Sequence, residues 1–138
     1  MSDTTSDRRA IEALLVAYCW ANDAGRVDDI ADTFHVDATY SALGDLVRGR
    51  AAIRELFDVR VKARATQPIA DPQHWVSNIR IEIDGEHARA SSYYLRIAAT
   101  EPAGDVKILA HGWYDDVLRK EDGRWRFQHR AVCKEIPE

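Results

Sequence analysis

The feature that most constrains this chain is a change of hydrophobic period near residue 73: helical spacing before it, strict alternation after it. Ile11, Leu14, Leu15 and Tyr18 recur every three or four residues until Gly25 offers a stop. Thr4 followed by Asp7 has the form of a capping box, so a first helix is expected from there to about Asp23. Val27, Ile30, Ala31 and Phe34 repeat the pattern at once and predict a short second helix ending before Asp37. Ala38 to Ser41 and Leu46 to Arg48 read as brief strands around Gly44-Asp45, and Gly49 precedes a third helix that shares Ile53, Leu56, Phe57 and Val61 on one face. Thr66 to Pro72 holds two prolines and reads as loop.

From Gln73 the pattern is that of strands. Ile79, Ile81 and Ile83 alternate with Arg80 and Glu82 up to a turn at Asp84-Gly85, and Tyr93, Leu95 and Ile97 alternate next. Pro102 to Gly104 breaks the chain before a long strand over Lys107 to Arg119. Glu121-Asp122-Gly123 then turns into a last strand carrying Trp125 and Phe127. One conflict of phase stands out, because His74, Val76 and Asn78 share one face of their strand and Ile79, Ile81 and Ile83 the other, yet both sets look inward. A bulge near Asn78, or a strand buried on both sides, resolves it. Helices first and a four-strand antiparallel meander afterwards define an α+β chain whose strongly curved sheet wraps around its N-terminal helices.

At 138 residues the chain is expected to be one domain, with residues 1–6 as a disordered N-terminus. A net charge of -4 argues against polyanionic partners, so no nucleic acid is expected. Neither a signal-type apolar core nor a run of membrane-span length is present, so the default location is the cytoplasm and no membrane partner is expected. Cys19 and Cys133 lack the spacing of a zinc site or a disulfide framework, and Cys19 reads as a small core residue. With no Gly-rich phosphate loop, metal-ligand spacing or nucleophile elbow, the expectation is no metal and no cofactor, which leaves acid–base chemistry.

Two residues carry that chemistry best. Asp23 closes the first helix and His74 opens the strand region, and a carboxylate that orients an imidazole makes a general base near neutral pH. Asp23 in an Asn-Asp-Ala-Gly helix end is equally an ordinary turn residue, and a lone histidine is commonly solvated. Tyr18 suits either a core phenol or an acid; Tyr40, Tyr93 and Tyr114 are candidate ligand contacts. Arg130 suits an anionic substrate group or a surface carboxylate, and His111 faces solvent, a pocket or a dimer partner. His35 and His87 sit beside turns and read as solvated.

The element order, together with Tyr18-x-x-x-x-Asp23, Gln73-His74-Trp75-Val76-Ser77-Asn78 and Asp122-Gly123-Arg124-Trp125-Arg126-Phe127, resembles the SnoaL-like branch of the nuclear transport factor 2-like superfamily from about Asp7 to Val132. That group includes scytalone dehydratase, bile-acid 7α-dehydratase, hexachlorocyclohexane dehydrochlorinase, ketosteroid isomerase, polyketide cyclases and noncatalytic binding proteins. The resemblance implies a cone-shaped, barrel-like fold with an apolar pocket, and a homodimer or higher homo-oligomer formed through the outer sheet face. It implies that Asp23 and His74 stand at the dehydratases' catalytic aspartate and histidine, Tyr18 at a catalytic tyrosine and Tyr40 at a substrate-side tyrosine. Scytalone dehydratase has a second histidine where Tyr93 stands here, and ketosteroid isomerase has its base aspartate near Ala42, so neither of those sites is complete. The implied activity is a cofactor-independent, dehydratase-like lyase acting on a small apolar ring compound of polyketide, steroid or terpenoid type. The alternatives are a cyclase or isomerase on the same pocket, and a noncatalytic ligand-binding or dimerisation module.

Overall fold

A computed structural model of the chain describes residues 3–100 and 104–134. Three helices come first, α1 (Thr5–Ala24), α2 (Val27–Asp32) and α3 (Arg50–Arg64), with the short strands β1 (Phe34–Ala42) and β2 (Asp45–Arg48) between the last two. The long strands β3 (Ile69–Asp84), β4 (His87–Thr100), β5 (Asp105–Glu121) and β6 (Arg124–Cys133) follow as an antiparallel meander. All six strands form one mixed sheet in the order β2-β1-β6-β5-β4-β3, in which β1 pairs β6 in parallel. The α+β class is as expected. The sheet is open, with β2 and β3 as its edges.

Helix α1 forms because its apolar residues make one stripe: Ile11, Leu14, Leu15, Tyr18, Cys19 and Ala21 are all buried. Gly25 ends it in the left-handed conformation (φ 69°), where its N–H reaches the Asn22 carbonyl. A Cβ there would also lie 3.1 Å from Val61 Cγ1 of α3, so glycine serves both the cap and the helix contact. The expected capping box is absent, since Thr4 makes no side-chain cap bond. Asp7 instead turns toward the sheet and accepts hydrogen bonds from Trp125 Nε1 (2.9 Å) and Lys120 Nζ (3.0 Å), the first of which does most to hold its carboxyl below the usual range. Thr5 and Ser6, expected to be disordered, are helical.

Other boundaries shift in the same way. Phe34 begins β1 instead of ending α2, and β3 starts at Ile69, so Pro72 lies in a strand rather than a loop. Pro72 is tolerated because β3 is an edge strand with a register break between Ala70 and Gln73. The Pro102 to Gly104 break lies outside the described residues except for Gly104. His35 is buried rather than solvated, its Nε2 2.8 Å from the Arg119 carbonyl oxygen.

The predicted bulge is present. Asn78 adopts φ 53° and the β3–β4 register shifts between Ser77 and Arg80. Ser77 and Asn78 are therefore both exposed in succession, and His74, Val76, Ile79, Ile81 and Ile83 all turn toward the helices.

The core centres on Tyr18, whose ring meets Phe34, Phe57, Tyr114 and Phe127 edge to face at centroid distances of 6.3, 6.0, 6.2 and 5.8 Å. Each such pair contributes about 0.5–1.5 kcal/mol beyond its area burial. Under them lies Arg130, fully buried, with Nε donating to Asp116 Oδ1 (2.9 Å) and Nη2 to Asp116 Oδ2 (3.2 Å). Its guanidinium also lies over the rings of Tyr114 (3.6 Å), Tyr18 (4.3 Å) and Phe127 (4.4 Å). Burial works against both charges, and the paired carboxylate keeps the guanidinium protonated. Replacing Arg130 alone with Met should destabilise the protein by about 3–5 kcal/mol, because it strands a buried carboxylate. The double variant Asp116→Leu/Arg130→Met should recover most of that loss in urea unfolding; additive losses would mean that the pair is not coupled.

Candidate active site

Between the helices and the curved sheet lies a cavity of about 400 Å³, within the range that holds a small organic ligand. Tyr18, Tyr40, His74, Tyr94 and Tyr114 line it, with Phe57, Ala110 and Val132 among the apolar walls.

Asp23 and His74, 51 positions apart, meet at its edge. Nδ1 of His74 is 2.6 Å from Asp23 Oδ1, and the backbone N–H of His74 donates to both carboxylate oxygens at 2.9 and 3.1 Å. A carboxylate accepts, so this contact suits the tautomer of the neutral imidazole that carries its proton on Nδ1 and its lone pair on Nε2. Side-chain exposures of 10% for His74 and 19% for Asp23 place the pair largely out of water. His74 is a lining residue and Asp23 is not, so the carboxylate stands behind the ring.

The tyrosines divide by environment. Burial raises the Tyr18 hydroxyl well above the ordinary phenol range, so it stays a neutral donor. Tyr40 is buried on β1, and its hydroxyl accepts a hydrogen bond from Arg60 Nη1 at 3.0 Å, which leaves its own proton to donate. Tyr114 is buried on β5, and burial raises it too.

Two of the expected contacts fall elsewhere. Tyr93 is 49% exposed on the outer sheet face, and its neighbour Tyr94, 8% exposed, takes the cavity position, stacked on Tyr114 at 4.7 Å. The alternation of Tyr93, Leu95 and Ile97 is thus an outward stripe; the inward set is Ala88, Ala90, Ser92 and Tyr94. Arg130, expected as a substrate contact, is sealed beneath Tyr18 and Tyr114 with Asp116 and does not line the cavity. His111 is exposed. Among the described residues no cluster of His, Cys, Asp or Glu has the arrangement of a metal site.

Sequence reasoning missed Tyr94, and it missed the basic residues Arg60, Arg64, Arg96 and Lys134, which also line the cavity. Counting from the Asp84-Gly85 turn finds Tyr94 and Arg96. Ile81 lies opposite Ala90, directly opposed residues share a face, and every second residue of β4 then points inward.

The chain belongs to the SnoaL-like domain family, whose model matches residues 3–131. This is a nuclear transport factor 2-like fold, and ligand-binding and dehydratase-type proteins share it. The uncharacterized protein Rv2910c of Mycobacterium tuberculosis is 33% identical over 137 residues, covering 94% of this chain and 86% of its own. Among solved structures, the function-unknown protein Rv3472 of Mycobacterium tuberculosis superposes with a TM-score of 0.82 at 31% identity, over 95% of this chain and 73% of that one. A Novosphingobium aromaticivorans protein provisionally named scytalone dehydratase gives 0.80 at 27% identity, over 99% and 89%.

The aromatic wall depends on one small residue. A Cβ at Gly112 would lie 2.4 Å from the Cys133 carbonyl oxygen and 3.0 Å from Tyr94 Cε1. Gly112→Ala should therefore cost about 1–3 kcal/mol in thermal or urea unfolding and weaken binding of any ring ligand, with Tyr94 displaced. A variant as stable as the parent would show that β6 gives way freely.

Proposed function

We propose that this protein is a cofactor-independent lyase of the dehydratase type, acting on a small ring compound that carries a hydroxyl two carbons from a carbonyl. The observation that carries the reading is the Asp23–His74 contact on the wall of an aromatic cavity. Nε2 of His74 takes the proton from the carbon next to the carbonyl, and Asp23 stabilises the imidazolium that forms. Tyr18, a neutral donor, hydrogen-bonds the carbonyl oxygen as it gains charge, and Tyr40, polarised by Arg60, donates from the other wall. The carbon–carbon double bond forms as the carbon–oxygen bond breaks, and the departing hydroxide leaves as water with the proton returned by the imidazolium. The dehydratase-type proteins that share this fold support the same chemistry.

The test is turnover of cyclic β-hydroxy ketones, followed by mass spectrometry as loss of water. His74→Ala should lower kcat by about 100- to 10,000-fold, and Tyr18→Phe by about 100- to 1,000-fold, with unfolding midpoints close to the parent. Asp23→Asn should also lower kcat, since it removes the charge that holds the imidazolium. The rate should rise with pH on the acid side, because the base works only unprotonated. No matching fall should come from Tyr18, whose ionisation lies well above the ordinary phenol range. Undiminished turnover in His74→Ala sinks the mechanism. Binding of ring ligands with no turnover of any favours the noncatalytic alternative.

A further inference from the structure

The chain carries 23 acidic residues against 19 Lys and Arg, yet its cavity reverses the balance: Arg60, Arg64, Arg96 and Lys134 line it, and no Asp or Glu does. Three of these cations have no carboxylate partner among the described residues. Arg60 donates to the Tyr40 hydroxyl; Arg64 Nη2 donates to the Asn22 carbonyl oxygen at 2.9 Å and to Asn22 Oδ1 at 3.4 Å. Arg96 makes no ion pair with any described residue. Arg130, the fully buried arginine, by contrast has its carboxylate in Asp116.

Their positions are ordered with respect to the proposed base. Arg96 of β4 is the direct cross-strand partner of His74, on the same face of the sheet. Arg64 lies in the last turn of α3 and is tied to Asn22, the residue before Asp23. Adjacent residues at the end of α1 thus anchor the base and a cation. The two guanidiniums repel each other: burial first, and then the charge of Arg96, lower the Arg64 ionisation, and the more weakly acting charge of Asp23 does not cancel them. An anion beside them would screen the repulsion and offset the cost of burial.

Resting on the ring-compound reading above, we infer that the ligand of this cavity bears a carboxylate, held by Arg64 and Arg96 beside His74. A planar monoanion matches the guanidinium fork. A phosphate dianion fits less well, because α1 and α3 both present their C-terminal, carbonyl ends here, and those repel added negative charge. The carboxylate would fix the ring's orientation and so select which carbon meets Nε2.

The experiment is equilibrium binding of 2-naphthoate, its methyl ester and 2-naphthyl phosphate, all unreactive toward elimination. The parent should bind the naphthoate about tenfold or more tightly than the ester, the difference shrinking with added salt. Arg96→Gln, which breaks no bond to a described residue, should abolish that preference while ester binding persists; Arg64→Gln, checked by its melting curve, should do the same. His74→Ala should keep the preference, so failure of the proton-transfer mechanism and failure of this inference read out separately. Equal binding of acid and ester by the parent, a preference that survives in Arg96→Gln, or tighter binding of the naphthyl phosphate would each overturn it.

Discussion

One carboxylate holds the candidate site together. Asp23 accepts from both the backbone N–H and the ring N–H of His74, so it fixes the strand and the side chain in one contact. The backbone bond matters structurally, because this part of β3 is an edge strand whose amide has no further strand on that side. The ring bond matters chemically, because it selects the tautomer. A helix C-terminus is an unfavourable place for an unpaired carboxylate, and donors from β3 are what make Asp23 tenable there. The geometry that closes the edge of the sheet therefore also prepares the imidazole.

That contact requires the sheet to bend over α1, and the bend is made by residues out of step. β3 breaks register with β4 twice, between Ala70 and Gln73 and between Ser77 and Arg80. Without the bulge at Asn78, His74 and Val76 would face away from the helices while Ile79, Ile81 and Ile83 faced them. The chain would then have a core and no site. The bulge lets one strand serve both, with the isoleucines packing the base of the sheet and His74 lining the cavity farther along.

Much of this was legible in the sequence. The period change placed the helices and the meander, and the clash of phase between His74 and Ile79 itself called for the bulge. What stayed hidden depended on contacts between distant segments. Asp7 looked like a capping residue because nothing local reveals Trp125, 118 positions away. Tyr93 and Tyr94 are adjacent, and alternating apolar neighbours favoured the wrong one, since Leu95 and Ile97 belong to an outward stripe that also exposes Trp75 and Tyr93. His35 looked solvated because the Arg119 carbonyl that it meets belongs to another strand.

Arg130 shows how small a register error changes a residue's meaning. Counted from the Asp122-Gly123 turn, Glu121 faces Arg124 and Leu118 faces Phe127, and a regular hairpin would put Asp115 opposite Arg130. One shift between Val117 and Leu118 brings Asp116 there instead, on the inward face, and the carboxylate and guanidinium become a sealed pair. Asp115 remains at the surface, where it pairs with Arg89. The chain thus has two kinds of inward arginine: Arg130, neutralised by a residue that the bulge delivers, and Arg64 and Arg96, to which no described carboxylate is delivered. A protein of net charge -4 had acidic residues enough to neutralise all three, and only at Arg130 did full burial leave no alternative to pairing. At the cavity, where a ligand can supply the missing charge, the cations stay open.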